Sequence, residues 1–556
     1  MWVGFAKSLT GDRVEYVPYQ TAADRFPEIT AGEFQKAVQF VTPEGRSSGA
    51  EAAFRLLGDV PGYGWMLWLY NRAPGFALLA EALYGFVARH RNGFHAVTRA
   101  LWGRQVVRST YHAASSLFGR ALSLIYMVAF ASFGMQARGL IGSEGILPLN
   151  IYFRIAQGQL GNAAYWRVPT IFWWMHSDFA LLSIAWGGVA LAAISMLARP
   201  HSRWQRLIFI ILFVYYLSIV SAGQIFLSYQ WDSLLLEAGF LAIFLRPSLP
   251  RVWLFQWLLV RLIFESGLVK IMSHDPSWRG LTALAVHYET QPLPTAIAWY
   301  AHQLPMWFQQ VSTAAVLGIE LGLPLLMLGP RRLKHIAGFG TIALQLLILL
   351  TGNYTFFNFL TLALCLFLFD DAFFAGRKYQ PVLPARSGFA VSAGLVAVVM
   401  TLSFVPLDIA APFNIVNRYG LFAVMTTQRP EVEIEGSNDG QVWLPYIFRN
   451  KAGPLNRAPG WVAPFQPRLD WQMWFAALGN FRQNPWFVRL VISLLEGSKP
   501  VLALLERDPF GGKPPQQIRA VVYEYHFTSF EERRRTGNWW KREEKGMYFP
   551  PAGLRR

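Results

Sequence analysis

Several ionisable residues sit where the surrounding sequence is apolar. The stretch RLIFESGLVKIMSHDPSW (261–278) continues an apolar run, yet carries Arg261, Glu265 and Lys270 before it breaks at His274-Asp275-Pro276. A charge at membrane depth costs at least ~2.5 kcal/mol unless it is paired or wet. Arg261 and Glu265 are four residues apart, so on a helix they share a face and read as a structural ion pair. At 100° per residue, Lys270 falls on roughly the opposite face. Two readings stay open for it: a lysine snorkelling to the interface, or a base or anion-binding group facing a polar cavity. Asp232 and Glu237 lie in or beside another apolar run, and Glu320 lies deep in GIELGLP. Together they predict a polar membrane interior in which Arg261 and Lys270 answer Glu237, Glu265 and Glu320.

A second group gathers on what topology makes the outer side: His176 with Asp178, His274 with Asp275, His287 in HYE, and His302. Histidine and carboxylates ligate metals. Their spacings match no zinc signature, so packing or surface roles are expected, with neither metal nor cofactor. Gln291, Asn353 and Asn358 would line a cavity or satisfy helix ends. Further on, Arg468-Leu469-Asp470-Trp471, with Trp461, Trp474 and Phe475, reads either as a small-domain core with rim aromatics or as a protein-binding surface. No GxSxG elbow, P-loop or dinucleotide glycine fingerprint is present. The single cysteine, Cys365, lies in an apolar run and excludes an internal disulfide or CxxC pair.

The elements that must position these residues are membrane helices. The 556-residue chain is 53% hydrophobic and only 15% charged, whereas soluble domains carry about a quarter charged residues. Nine candidate spans lie near 121–138, 170–197, 205–225, 231–245, 252–272, 309–329, 333–350, 354–374 and 387–407. The net charge of +17 is not a nucleic-acid signal, because the arginines cluster at the ends of apolar runs. Arg99, Arg104, Arg108, Arg120, Arg199, Arg203, Arg246, Arg251, Arg331, Arg332, Arg377, Lys378 and Arg386 fall in alternate connections. That asymmetry puts the N-terminus in the cytoplasm and, with nine spans, the tail outside. The expected organisation is a soluble-looking α/β region over 1–97, a multipass domain over 98–411 and a β-rich extracytoplasmic domain over 412–556. RVEYVPYQ reads as a strand, SSGAEAAFRLL as a helix capped by Ser47 or Ser48, and LLAEALYGFVARHR as an amphipathic helix. EVEIEG, QVWLPYIF and IRAVVYEYHF read as tail strands.

Long blocks of the chain resemble the lipase maturation factor family. They are GSEGILP (142–148), FLSYQWDSLLLEAGFLAIF (226–244), ESGLVKIMSHDPSWRGLTALAVHYETQPLPTAIAWYAHQLP (265–305), LLTGNYTFFNFLTLALCLFLFDD (349–371), NRYGLFAVMTTQRPEVEIEGSNDG (417–440) and FQPRLDWQMWFAALG (465–479). The resemblance implies a multipass membrane protein, surrounded by lipid, that assists folding of secreted clients such as lipases. The membrane would be the endoplasmic reticulum in a eukaryote or the plasma membrane in a prokaryote. Trp461, Arg468, Asp470, Trp471 and Trp474 are then candidates for client binding. SGLVKIMSHDPSWRG is also similar to the transmembrane domain of vitamin K-dependent gamma-carboxylases. That implies the alternative of an enzyme acting on a lipid, quinone or peptide with Lys270 as base; here Asp275 and Trp278 are separated by two residues where that superfamily has one. GDRVEYVPYQ and VTPEGRSSGAEAAFRLL resemble the back part of DCC-type thioredoxin-like modules, implying a truncated remnant without its cysteine pair.

Overall fold

The computed structural model describes residues 2–554, apart from 23–24, 61–62, 104–105, 107–108, 377–388 and 406. Arg104, Arg108, Arg377, Lys378 and Arg386 lie outside the described residues. Helices of eight or more residues are α1 (Trp2–Thr10), α2 (Gly49–Gly58), α3 (Gly64–Arg72), α4 (Phe76–Arg89), α5 (Arg91–Trp102), α6 (His112–Gly134), α7 (Leu149–Leu160), α8 (Asp178–Leu197), α9 (Arg203–Ala222), α10 (Gln230–Ile243), α11 (Leu249–Met272), α12 (Ala283–Thr290), α13 (Met306–Met327), α14 (Arg331–Thr351), α15 (Phe357–Cys365), α16 (Phe389–Phe404), α17 (Arg468–Ala477) and α18 (Pro485–Leu495). The strands are β1 (Gln39–Thr42), β2 (Gly45–Ser48), β3 (Pro430–Ser437), β4 (Leu444–Pro445), β5 (Gln517–Phe527) and β6 (Trp540–Ala552).

Each of the nine apolar stretches contains a helix among the described residues. Among the described residues, six helices are long and apolar enough to cross a membrane: α6, α8, α9, α11, α13 and α14. The other three stretches contain the shorter apolar helices α10, α15 and α16. Sequence reports where apolar residues run on; it does not report where a helix stops inside the bundle. The long helices pack as neighbours, α6 on α8, α8 on α9, α11 on α13 and α13 on α14. The short α10 and α15 lie against this frame, with Leu234, Leu235, Leu236, Leu360 and Leu364 fully buried.

Close approach between α11 and α13 depends on Gly267. A Cβ there would stand 2.8 Å from the Glu320 Cβ and 3.2 Å from the Glu320 carbonyl carbon. Gly267→Ala is therefore expected to force the helices apart and to destabilise the protein by about 1–3 kcal/mol. A lowered thermal midpoint of the detergent-solubilised variant would show it.

The tail builds a four-stranded antiparallel sheet in the order β4-β3-β5-β6, with Val432 opposite Val522. EVEIEG and IRAVVYEYHF are strands as expected, whereas QVWLPYIF joins the sheet over Leu444–Pro445 and adds an isolated bridge from Ile447 to Arg507. RLDWQMWF forms the helix α17, which packs on β3. In the N-terminal region, RVEYVPYQ is not a strand but loop leading into the short helix Tyr19–Ala22. Ser48 holds the N-cap position of α2 but makes no side-chain cap bond.

The bundle has two chemically distinct ends. One carries Arg199, Arg203, Arg246, Arg251, Arg331 and Arg332 at helix termini. The opposite end meets the tail: the Ser498 hydroxyl donates to the Glu144 carbonyl, and the Asn353 amide donates to the Gly460 carbonyl.

Candidate functional site

The seam between bundle and tail carries several buried charges. Asp232 opens α10, is fully buried, and accepts two hydrogen bonds from the Arg468 guanidinium at 3.0 and 3.1 Å. The Tyr216 hydroxyl also donates to it. Arg468 opens α17 and donates further to the Phe226 carbonyl at 2.8 Å. Gln136 braces the same point: its side-chain oxygen accepts from the Arg468 amide and its nitrogen donates to the Gln466 carbonyl. A membrane-helix carboxylate thus holds a tail-domain arginine in a bidentate fork, the strongest geometry such a pair can take.

One helical turn deeper, Glu237 pairs with Arg261. It also accepts from the Asn417 backbone at 2.8 Å and from the Tyr419 hydroxyl at 2.8 Å. Arg261 donates to the Asn417 carbonyl at 2.7 Å. The expected pairing of Arg261 with Glu265 is corrected here: Arg261 turns to the buried Glu237, and Glu265 accepts from the Tyr419 amide at 2.7 Å. The segment Asn417–Gly420 is therefore strapped across α10 and α11 by two carboxylates, Glu237 and Glu265.

Lys270 is buried and pairs with Glu320 at 2.8 Å. It donates also to the Ser266 carbonyl at 3.1 Å and lies 5.2 Å from the Trp278 ring centre. This excludes a snorkelling lysine. Its nitrogen is held inside the bundle by these contacts. Asp275 caps the short helix Pro276–Arg279, accepting from Ser277 at 2.7 Å, and accepts from Met425 of the tail segment at 3.1 Å.

Histidines and carboxylates of the outer group do not converge. Among the described residues, no group of three or more His, Cys, Asp or Glu is placed to hold a metal ion. His176 is exposed and stands apart. Asp178 accepts from the Ser143 amide and hydroxyl and lies 3.5 Å from Arg138. His274 contacts Arg279. His287 is enclosed against Tyr354, with its ring nitrogen 3.0 Å from the hydroxyl, and burial lowers its pKa to about 4, so it is neutral near pH 7. His302 approaches Glu289, which also takes His526 at 3.0 Å and the Phe527 amide at 2.6 Å.

The structure adds a node that spacing did not reveal. Arg429 is fully buried and donates to the carbonyls of Glu289, Gln291 and Pro292 and to Glu431 at 2.8 Å. Lys451 completes the node, 2.8 Å from Glu431. TQRPEVEIEG resembles an ordinary strand with solvent-facing charges, and only its place in the long family-like blocks marked it. Gln291 satisfies a helix end, donating to the Thr351 carbonyl, whereas Asn353 donates to the loop carbonyls of Leu293 and Gly460. Asn358 donates to Gln345.

Of the five residues expected to bind clients, four are interior. Arg468, Asp470, Trp471 and Trp474 are buried, and only Trp461 is exposed. Asp470 accepts from the Asn450 and Lys451 amides, yet burial still raises its pKa above the usual carboxylate range. Trp471 packs edge-on to Trp231, and the Trp474 indole donates to the Thr290 carbonyl. They are buried because α17 is enclosed almost all round: one face covers β3 and the other covers the ends of the bundle. At the arginine end, a cavity of about 270 Å³ is lined by Tyr111, Leu249, Pro250, Val252, Trp253, Gln256 and Lys334. Lys334 there donates to Gln256 at 2.9 Å.

Comparison with known proteins fits this two-part architecture. The family domain described as the lipase maturation factor transmembrane domain matches residues 113–376, and the lipase maturation factor C-terminal domain matches 415–550. Human lipase maturation factor 2 is 34% identical, over 79% of this chain and 82% of its own length. Mouse lipase maturation factor 1 is 35% identical, over 78% and 86%, and the bovine protein of that name 33%, over 78% and 87%. No solved structure matches. The chain, a multipass membrane protein, belongs to the lipase maturation factor family.

Proposed function

We propose that this protein assists the folding or assembly of secreted clients, lipases among them, without catalysing a reaction itself. The observation that carries the reading is the tail domain bolted to the bundle through the buried Arg468–Asp232 pair and the Glu237 and Glu265 hydrogen bonds to Asn417 and Tyr419, in a chain whose relatives are named lipase maturation factors. Such a seam makes a rigid platform at the membrane surface. The alternating arginines favour a tail on the extracytoplasmic side, which is the lumen of the endoplasmic reticulum in a eukaryote. Client contact would fall on the loop 273–308 and on the tail, where Trp461, Tyr300 and Trp307 are exposed. The carboxylase-like alternative loses its support once Lys270 is tied to Glu320.

Trp461→Asp tests the reading, because the residue is exposed and its loss leaves the seam intact. Removing an aromatic anchor costs about 2 kcal/mol, on the order of thirtyfold in client affinity. Co-expression with a secreted lipase is expected to yield less active lipase at an unchanged level of the membrane protein. Full lipase activity would remove Trp461 from the client surface.

A further inference from the structure

The N-terminal region turns the usual amphipathic pattern of a helix inside out. Residues before 113 lie outside both matched family domains. In α4, the outward face is Leu78, Leu79, Ala82, Leu83 and Phe86, at helical spacing and without a charge. Leu78 is 80% exposed, Leu79 67% and Leu83 61%. The inward face of the same helix carries the polar groups. Glu81 accepts from the Ala50 and Glu51 amides and the Tyr70 hydroxyl, and the Tyr84 hydroxyl accepts from the Val38 amide. A helix that turns its carboxylate inward, half-buried, and presents leucines outward is built to face something apolar.

We propose that α3, α4 and α5 form an interfacial element that lies in the lipid leaflet at the arginine-rich end of the bundle. Three observations choose lipid as the occupant. First, α5 packs against the start of α14, a membrane-spanning helix, and Arg332 donates to the Ala100 carbonyl, so the element continues the lipid-facing surface of the bundle. Second, α3 exposes Trp65 and Trp68 three residues apart, the amphipathic rings that settle at headgroup level. Third, Arg72, Arg89, Arg91 and Arg99 are exposed at the helix ends that flank the apolar face, where they meet anionic headgroups. Phe86 and Phe94 join α4 to α5 edge-on, extending the apolar strip. The element is thus a membrane-surface anchor, sunk about 5–10 Å into the leaflet.

The buried position of Cys365 makes the test direct. In a full-length Cys365→Ala background, single substitutions Leu79→Cys, Leu83→Cys and Glu44→Cys carry a nitroxide label, with the protein reconstituted in bilayers of neutral and anionic phospholipid. Relaxation by oxygen is compared with relaxation by a water-soluble nickel complex. Labels at 79 and 83 are expected to respond several-fold more to oxygen than to nickel, and the label at the exposed hairpin residue 44 the reverse. If Leu79→Cys or Leu83→Cys misfolds, Ala82→Cys reads the same face. A nickel-dominated response at 79 and 83 would mean a face in water. Low response to both reagents would mean a face covered by protein. Either result overturns the proposal.

Discussion

Arg468→Ala is expected to detach the tail from the bundle. The arginine is fully buried, holds Asp232 in a bidentate fork and closes the Phe226 carbonyl, so its removal strands a carboxylate in the protein interior. Removing one partner of such a pair costs about 3–5 kcal/mol, a large share of a domain's stability. The expected phenotype is a much lower thermal midpoint and rapid proteolysis in the connection between α16 and β3. The double variant Arg468→Ala with Asp232→Ala removes both charges and is expected to recover part of the loss, on the order of 1–3 kcal/mol. Equal losses in the single and double variants would show that the pair is not the bond that matters.

Lys270→Ala is expected to have the second largest effect. It leaves Glu320 buried without its cation, between helices that Gly267 allows to touch. The penalty is again about 3–5 kcal/mol, seen as lowered thermal midpoint and yield. Lys270→Arg is expected to be destabilising too, because the planar guanidinium does not fit a site shaped for a compact ammonium against Trp278. Loss of function in either single variant therefore does not by itself identify a base, and stability must be measured beside it.

The membrane helices were legible because long apolar runs and arginine-rich ends follow from the bilayer itself. Where each run ends was less accessible, since α10 and α15 are shorter than the six long helices and only packing reveals their bounds. Polar residues inside apolar runs flagged Asp232, Glu237, Arg261, Lys270 and Glu320 as members of a polar interior, and the structure pairs them. Partner choice was less accessible. Arg261 lies one turn from Glu265 along the chain, but Glu237 and the Asn417–Gly420 strap reach it through the fold. The tail residues were hardest. Arg468, Trp471 and Trp474 have the composition of a binding surface, and nothing in their spacing says that a membrane bundle covers them. Arg429 was missed for the same reason, since its carbonyl partners come from residues 289–292.

On the proposed function, these buried charges hold the platform together. The most direct measurement is lipase maturation by the double variant Lys270→Met with Glu320→Gln, scored as specific activity of a co-expressed secreted lipase at matched levels of membrane protein. Replacing a buried pair by neutral groups of similar size is often nearly neutral, so maturation is expected within about twofold of the unmodified protein. A stable, fully expressed double variant that matures no lipase would contradict the account and return Lys270 to the chemistry.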